Sequence, residues 1–280
     1  MKIIIHGGFF SESSTSQETK TAKQQALIRI AKQSFEYLKN HSAVETVVYA
    51  VSLLEDDDLF NAGIGSQIQS DGKIRMSAAL IDGSNQKMSG VINIEEVKNP
   101  IQVAKVLQEY DDKVLGGSGA TNFARKHGFE AFSTEIPQRR AEYEAKLEAT
   151  GTGTVGCVAL DKNGKLAAAT STGGKGFEIP GRISDSATVA GNYANPYCGV
   201  SLTGVGEDIV SNATAAKIVT RVTDGFSLKD AFDKTFAELK EHDGFAGAIA
   251  IDKDGNMYHQ DSYPSMVFAS FDGQNTEVFN

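Results

Sequence analysis

Residues 151–174 carry the strongest chemical signal in the chain. They read Gly-Thr-Gly-Thr-Val-Gly, then an apolar run from Cys157 to Thr170, then Ser171-Thr172-Gly173-Gly174. Thr154 follows a glycine at the mouth of this run. Cleavage of the Gly153–Thr154 bond would place a free α-amino group beside the Thr154 hydroxyl, so that one residue carries both nucleophile and base. The run folds back at Asp161-Lys-Asn-Gly164, which makes it a hairpin whose two ends are neighbours. Thr172 is therefore expected within hydrogen-bonding reach of Thr154. Next comes Gly181-Arg182-Ile-Ser-Asp185-Ser. A guanidinium fork suits an α-carboxylate and a carboxylate suits an α-ammonium, so Arg182 and Asp185 match an amino-acid zwitterion; the other reading is a local ion pair in a turn. Ser201-Leu-Thr203-Gly204-Val-Gly206-Glu207 opens a helix. Its backbone donors would either face a developing oxyanion or simply cap that helix.

The elements that must position these groups follow from periodicity. Apolar residues at three- and four-residue steps predict a helix over 20–40, and a second over 43–54 that ends in a solvated acidic turn, Glu55 to Asp58. Further helices are expected over 100–114, 120–127, 207–223 and 228–242. Met1 to Gly8 reads as a buried first strand ended by a glycine pair. Hairpins are expected at Asp71-Gly72 between residues 67 and 81, at 155–170, and at 246–259 around Asp252-Lys-Asp-Gly255. Three hairpins favour antiparallel sheets over βαβ units. Helices in blocks around them predict an α+β layered sandwich. Residues 130–150 are rich in Glu, Ala, Arg and Gln, and read as a mobile linker or a marginal solvated helix that leads into the Gly153–Thr154 junction.

Composition excludes several classes. At 280 residues the chain buries a large core. The net charge of −9 comes with no basic stripe, which argues against nucleic-acid binding. Only Cys157 and Cys198 are present, in no metal-site spacing, so a disulfide framework is not expected. The three apolar residues after Lys2 are too few for a signal sequence or membrane span, which makes the cytoplasm the expected location and no membrane partner expected. The Asp161 and Asp252 turns place glycine at position four rather than six, unlike a calcium-binding EF-hand loop. Gly116-Gly-Ser-Gly119 lacks the lysine of a phosphate loop and reads as a helix entry.

Five blocks together resemble the plant-type L-asparaginase/isoaspartyl peptidase family of N-terminal-nucleophile hydrolases. They are Leu54–Ser66, Gly153-Thr-Val-Gly156, Thr170-Ser-Thr-Gly-Gly174, Gly181–Ser186 and Thr203-Gly204, in the family's order along most of the chain. The resemblance implies a single domain over 1–280 with a four-layer αββα sandwich of antiparallel sheets. It implies cleavage into 1–153 and 154–280, with residues 130–153 as the mobile linker. It implies Thr154 as nucleophile supported by Thr172, Arg182 and Asp185 as the zwitterion clamp, Thr203 and Gly204 as the oxyanion hole, and Asn61 beside the scissile bond. It further implies a sodium ion on backbone carbonyls of Leu54, Glu55, Phe60, Ala62 and Ile64, no catalytic cofactor, a small amino-acid or dipeptide substrate, and a homodimer of αβ units. Ser-Thr-Gly-Gly separates the chain from the glycosylasparaginases, which tend to have Asn in place of the first of those glycines. The chain departs from the family pattern at Phe9-Phe10, in the short stretches 130–150 and 185–203, and at Ser262–Phe268, which bears on substrate preference. Another Thr-nucleophile amidase with a larger substrate, and a binding homologue that never processes, are the competing expectations.

Overall fold

The computed structural model describes residues 1–10, 16–145 and 153–279. In chain order these form β1 (Lys2–Phe9), α1 (Gln17–Leu38), α2 (Ala43–Glu55), β2 (Met76–Asp82), β3 (Lys87–Ile94), α3 (Pro100–Leu107), β4 (Val114–Gly116), α4 (Gly117–Lys126) and α5 (Pro137–Glu144). They continue with β5 (Val155–Leu160), β6 (Leu166–Thr172), β7 (Asn192–Ala194), β8 (Cys198–Gly204), α6 (Gly206–Asn212), α7 (Thr214–Thr223), α8 (Leu228–Lys240), β9 (Ala246–Asp252), β10 (Met257–Asp261), β11 (Met266–Phe271) and β12 (Thr276–Val278). The class is mixed α+β, as expected, with two sheets. The larger runs β12-β11-β1-β5-β6-β2-β3-β4 and the smaller β10-β9-β8-β7. Every pairing is antiparallel except β3 with β4.

β5 and β6 are buried at every residue. Burial on both sides explains why they read as a continuous apolar run rather than an alternating one. Helix α2 packs against β5 and β6, whereas β8 approaches the same two strands from the smaller sheet. Small residues line this crossing: Ala167, Ala168 and Ala169 are all fully buried. A second apolar cluster joins α7 and α8 to β8 and β9. Helix α2 starts at a capping box in which Ser42 and Glu45 satisfy each other's backbone amides.

Several expectations need correction. The 67–81 hairpin does not form. Gln69 and Lys73 do close a tight turn over Asp71-Gly72, but Ile68 and Ser70 exchange backbone hydrogen bonds with Phe177 and Glu178 instead of joining a ladder. The true hairpin is β2–β3, turning over residues 83–86. The helix from Pro100 stops at Leu107, seven residues early, because β4 must start at Val114. The helix over 207–223 is two helices, broken where Ala213 takes φ 50°. Strand β1 passes through its glycine pair to Phe9, with an irregularity between His6 and Phe9. Phe9 then packs at a tilt against Phe245 and Phe10 against Phe279, so this unusual pair belongs to the core. Residues 137–144 form a helix with no buried residue, the marginal helix of the two readings; 146–152 lie outside the described residues. Glycines 116 and 117 do enter a helix, with Gly116 as the N-cap of α4. Among the described residues, no helix is long and apolar enough to cross a membrane.

The tightest point beneath the Thr154 end of the hairpin is Gly156. A Cβ there would overlap Ser201 Oγ and His6 Nε2, which are hydrogen-bonded to each other at 2.9 Å and fully buried. Neither has room to retreat. Gly156→Ala is therefore expected to cost about 1–3 kcal/mol, visible as a drop of several degrees in the thermal unfolding midpoint. An unchanged midpoint would show that this crossing is looser than described.

Candidate active site

The pairing of β5 with β6 decides which groups meet. Val155 lies opposite Ser171 and Gly156 opposite Thr170, so the same register places Thr154 opposite Thr172. The expected contact is present: Thr154 Oγ1 donates to Thr172 Oγ1 at 3.1 Å. Thr172 Oγ1 in turn donates to the Gly153 carbonyl at 3.1 Å and accepts from the Gly174 amide at 3.2 Å. Both threonines are buried, at 6% and 4% exposure.

Asn61 closes the arrangement from the loop after α2. Its Nδ2 donates to the carbonyls of Gly153 at 2.9 Å and Gly174 at 2.6 Å. Its Oδ1 accepts from the Gln67 amide, and its own carbonyl accepts from the Gly173 amide. The Gly153 carbonyl thus receives two donors. Residue 153 must be glycine for steric reasons as well, because a Cβ would come within 2.5 Å of Asn61 Cβ.

Thr154 and Thr172 open onto a cavity of about 160 Å³ whose wall also includes Lys175, Arg182, Asp185 and Glu207. That is room for an amino-acid-sized group, below the 300–1,000 Å³ of drug-sized pockets. A larger cavity of about 580 Å³ lies away from these groups, beside Tyr197 and Phe226. Arg182 and Asp185 both face the small cavity but do not pair with each other, which removes the local ion-pair reading. The Arg182 fork is bidentate on Glu207, at 2.6 and 2.7 Å. This hydrogen bonding holds the Glu207 carboxyl down to about 2. Asp185 is 3% exposed and its Oδ2 has no hydrogen-bond partner. Burial pushes its carboxyl up to about 7, against the opposing pull of Arg182. An unpaired, desolvated carboxylate facing a cavity is what a cationic ligand would complete. Gly204 lines the cavity at φ 142°, a conformation that excludes side chains, and Thr203 beside it is fully buried with Oγ1 unpartnered.

Two buried polar links brace the hairpin from behind. Thr170 shares Ser201 Oγ with His6, at 2.7 and 2.9 Å. Desolvation lowers the His6 imidazole to about 3, so it is neutral. On the opposite face Ser171 Oγ donates to Glu55 Oε1 at 2.6 Å, and the Ile101 amide donates to the same oxygen at 3.1 Å. Glu55 is fully buried, and desolvation raises its carboxyl to about 8. This corrects the solvated reading for Glu55 alone, since Asp56 and Asp58 of the same acidic run are exposed. Sequence reasoning also missed Glu207, which looks like an ordinary acid in the first turn of a helix. No sequence signal links Glu55 to Ser171, since the contact spans 116 positions.

The five carbonyls named for a sodium ion lie at the end of α2 and in the loop that follows it. The Glu55 carbonyl accepts from the Ile64 amide at 2.7 Å, and the carbonyls of Phe60 and Asp58 stand 2.9 and 3.0 Å from where a Gly65 Cβ would sit. Such a donor set of neutral oxygens suits a hard monovalent cation better than a transition metal. Among the described residues no three His, Cys, Asp or Glu side chains gather as a metal site.

The burial of Asp185 has a sign that can be measured. Its raised value means that the free protein gains from the neutral carboxyl below its ordinary range near 3.8 and loses that contribution as pH rises through about 7. Asp185→Asn keeps the shape without the charge. Its thermal midpoint is expected to exceed the wild type's by a few degrees at pH 8 and to lose that advantage at pH 4. An equal difference at both pH values would mean that the carboxyl's charge is not what matters.

Comparison with known proteins places this geometry in context. The family model described as Asparaginase matches residues 1–279. The isoaspartyl peptidase/L-asparaginase of Synechocystis is 43% identical over 97% of this chain and 88% of its own length. The isoaspartyl peptidase of Salmonella typhimurium is 37% identical over 91% and 90%, and the plant-type L-asparaginase of Pyrococcus abyssi 33% identical over 95% of both. With residues 1–279 matched by that model, the chain belongs to the asparaginase family.

Proposed function

We propose that this protein is a self-processing amidohydrolase that releases L-aspartate from L-asparagine and from β-aspartyl dipeptides, with Thr154 as nucleophile. The observation that carries the reading is the Gly153 carbonyl, which takes hydrogen bonds from Asn61 and Thr172 while Thr154 donates to Thr172. The relatives named above as isoaspartyl peptidases and L-asparaginases support the substrate class.

In the first stage Thr154 Oγ attacks the Gly153 carbonyl carbon. Its proton passes to Thr172 Oγ as the Thr172 proton moves onto the Gly153 oxygen, and Asn61 Nδ2 steadies the charge that develops there. The Gly153 oxygen gives that proton up as its carbonyl re-forms and the C–N bond breaks, the nitrogen takes it and becomes the α-amine of Thr154, and an ester remains. Water hydrolyses the ester, leaving a Gly153 carboxylate and a free Thr154 hydroxyl. In the second stage the new α-amine, with an ordinary pKa of about 7.7–8.0, is the base for its own hydroxyl. Arg182 takes the α-carboxylate of the substrate, Asp185 its α-ammonium, and Thr203 and Gly204 the oxyanion. Thr154 forms the acyl-enzyme, the amine leaves, and water releases aspartate. The small cavity favours these substrates over a glycosylated asparagine.

The same reading includes a single domain, arranged as a four-layer αββα sandwich and split into 1–153 and 154–280, assembled as a homodimer of αβ units. A sodium ion on the carbonyls of Leu54, Glu55, Phe60, Ala62 and Ile64 would brace the loop that carries Asn61 and would supply no chemistry to the reaction.

On a denaturing gel the wild type is expected to resolve into two fragments, with Thr154 at the N-terminus of the smaller, whereas Thr154→Ala stays whole and inactive. Asn61→Ala is expected to slow self-cleavage by about 10²–10³, the usual cost of one oxyanion donor. A whole and inactive wild type would overturn the mechanism. The pH dependence follows from two groups that must lose a proton. kcat/KM for asparagine is expected to rise through pH 7 to 8, and the Asp185 part of that rise should vanish with succinamate, which lacks the α-ammonium. An identical acid limb for both substrates would remove Asp185 from the clamp.

A further inference from the structure

We infer that Lys175 forms a leaving-group subsite, binding the second carboxylate of a β-aspartyl dipeptide and so setting the preference for dipeptides over asparagine. The inference rests on the proposed hydrolysis and goes further, to one side chain with no part in the threonine chemistry.

Among the described residues the cavity wall holds two cations, and the reaction as derived uses one. Arg182 is held by Glu207 at 2.6 and 2.7 Å and serves the α-carboxylate. Lys175 lines the same cavity, but its Nζ is 3.8 Å from Glu207 Oε1, an ion-pair distance without a hydrogen bond. Its side chain is 51% exposed. The ammonium is therefore free to accept another partner.

Its backbone, however, is fixed. Gly174, the preceding residue, donates its amide to Thr172 Oγ1 and gives its carbonyl to Asn61 Nδ2. The root of the Lys175 side chain is thus one peptide unit from the pair that organises the nucleophile. A flexible four-carbon stem from a fixed root suits a point-charge contact with a group whose position varies, as the C-terminal carboxylate of different dipeptides would.

Charge accounting favours the same assignment. Asparagine is a net-neutral zwitterion, fully served by Arg182 and Asp185. A β-aspartyl dipeptide with a neutral second residue carries one further carboxylate and a net charge of −1. The whole protein carries −9, and Glu207 adds an anion at the cavity itself. Without a local cation the dipeptide would be penalised relative to asparagine. Among the described residues Lys175 is the remaining cation on that wall.

The test compares β-aspartyl-leucine with its C-terminal amide, which differs only in the second carboxylate. Each protein is first checked on a gel for completed self-cleavage. The wild type is expected to favour the acid in kcat/KM by about two- to fivefold, the range of a partly exposed charge pair. Lys175→Gln should bring that ratio close to one, Lys175→Glu should invert it, and Lys175→Arg should restore most of it. A wild-type ratio near one, or a ratio that survives in Lys175→Gln, would overturn the subsite. So would an equal loss on both substrates, which would mean that Lys175 acts only by tethering Glu207. A wild type that hydrolyses asparagine but neither dipeptide would also remove the subsite while leaving the amidase reading intact. Inactivity on all three substrates would overturn that reading itself, and the subsite with it.

Discussion

The register of one hairpin sets everything else at this site. Because side chains alternate along a strand, the pairing of Val155 with Ser171 fixes three neighbours at once. Thr170 and Thr172 face the smaller sheet, and Ser171 faces α2. A slip by one residue that put Ser171 opposite Thr154 would turn Thr170 toward Glu55. The hydrogen bonds from Ser171 to Glu55 and from Thr170 to Ser201 lie on opposite faces of the same strand. Each is satisfied only in the observed register, so the two together act against a slip. Buried polar groups of this kind are costly when unpaired and directional when paired.

What the sequence made legible follows the same division. The Thr154–Thr172 contact is a local matter: a hairpin, its turn at Asp161–Gly164, and a period of two. Hairpin β9–β10 was readable for the same reason. The failed hairpin at Asp71-Gly72 shows the limit. The turn itself forms, since its backbone preference is local, but its flanks pair with Phe177 and Glu178, a hundred residues on. Likewise Pro100 starts a helix as expected, yet where the helix stops is set by the strand β4 that follows. Glu55 and Glu207 were misread for a tertiary reason. An acid near a helix end is ordinary on the surface, and only the packing of distant segments turns one into a buried anchor and the other into the partner of Arg182.

Asp185 illustrates how binding sites draw on stability. A carboxylate at 3% exposure with one oxygen unpartnered is an unfavourable thing for a free protein to hold. The same desolvation strengthens its attraction for an α-ammonium, because the interaction is made in a medium less polarisable than water. The neighbouring glycines permit this placement. A Cβ on Gly191 or Gly206 would strike the Asp185 carboxylate, so both approaches to it are kept at their narrowest backbone form.

Arg182 resolves the opposite problem. An unpaired guanidinium in the cavity would be costly and would wander among rotamers, whereas the Glu207 carboxylate holds its fork flat. A bidentate pair uses Nε and one Nη of Arg182, leaving the other edge of the guanidinium for a ligand. The α-carboxylate can therefore enter without displacing Glu207, as a second anion on a shared cation. Its affinity would be tempered by repulsion from Glu207, whose Oε1 also lies 3.8 Å from Lys175 Nζ. Arg182, Glu207 and Lys175 thus form one electrostatic unit, in which the rigid cation orients the ligand, the anion fixes the rigid cation, and the flexible cation adjusts the balance to the charge of what is bound.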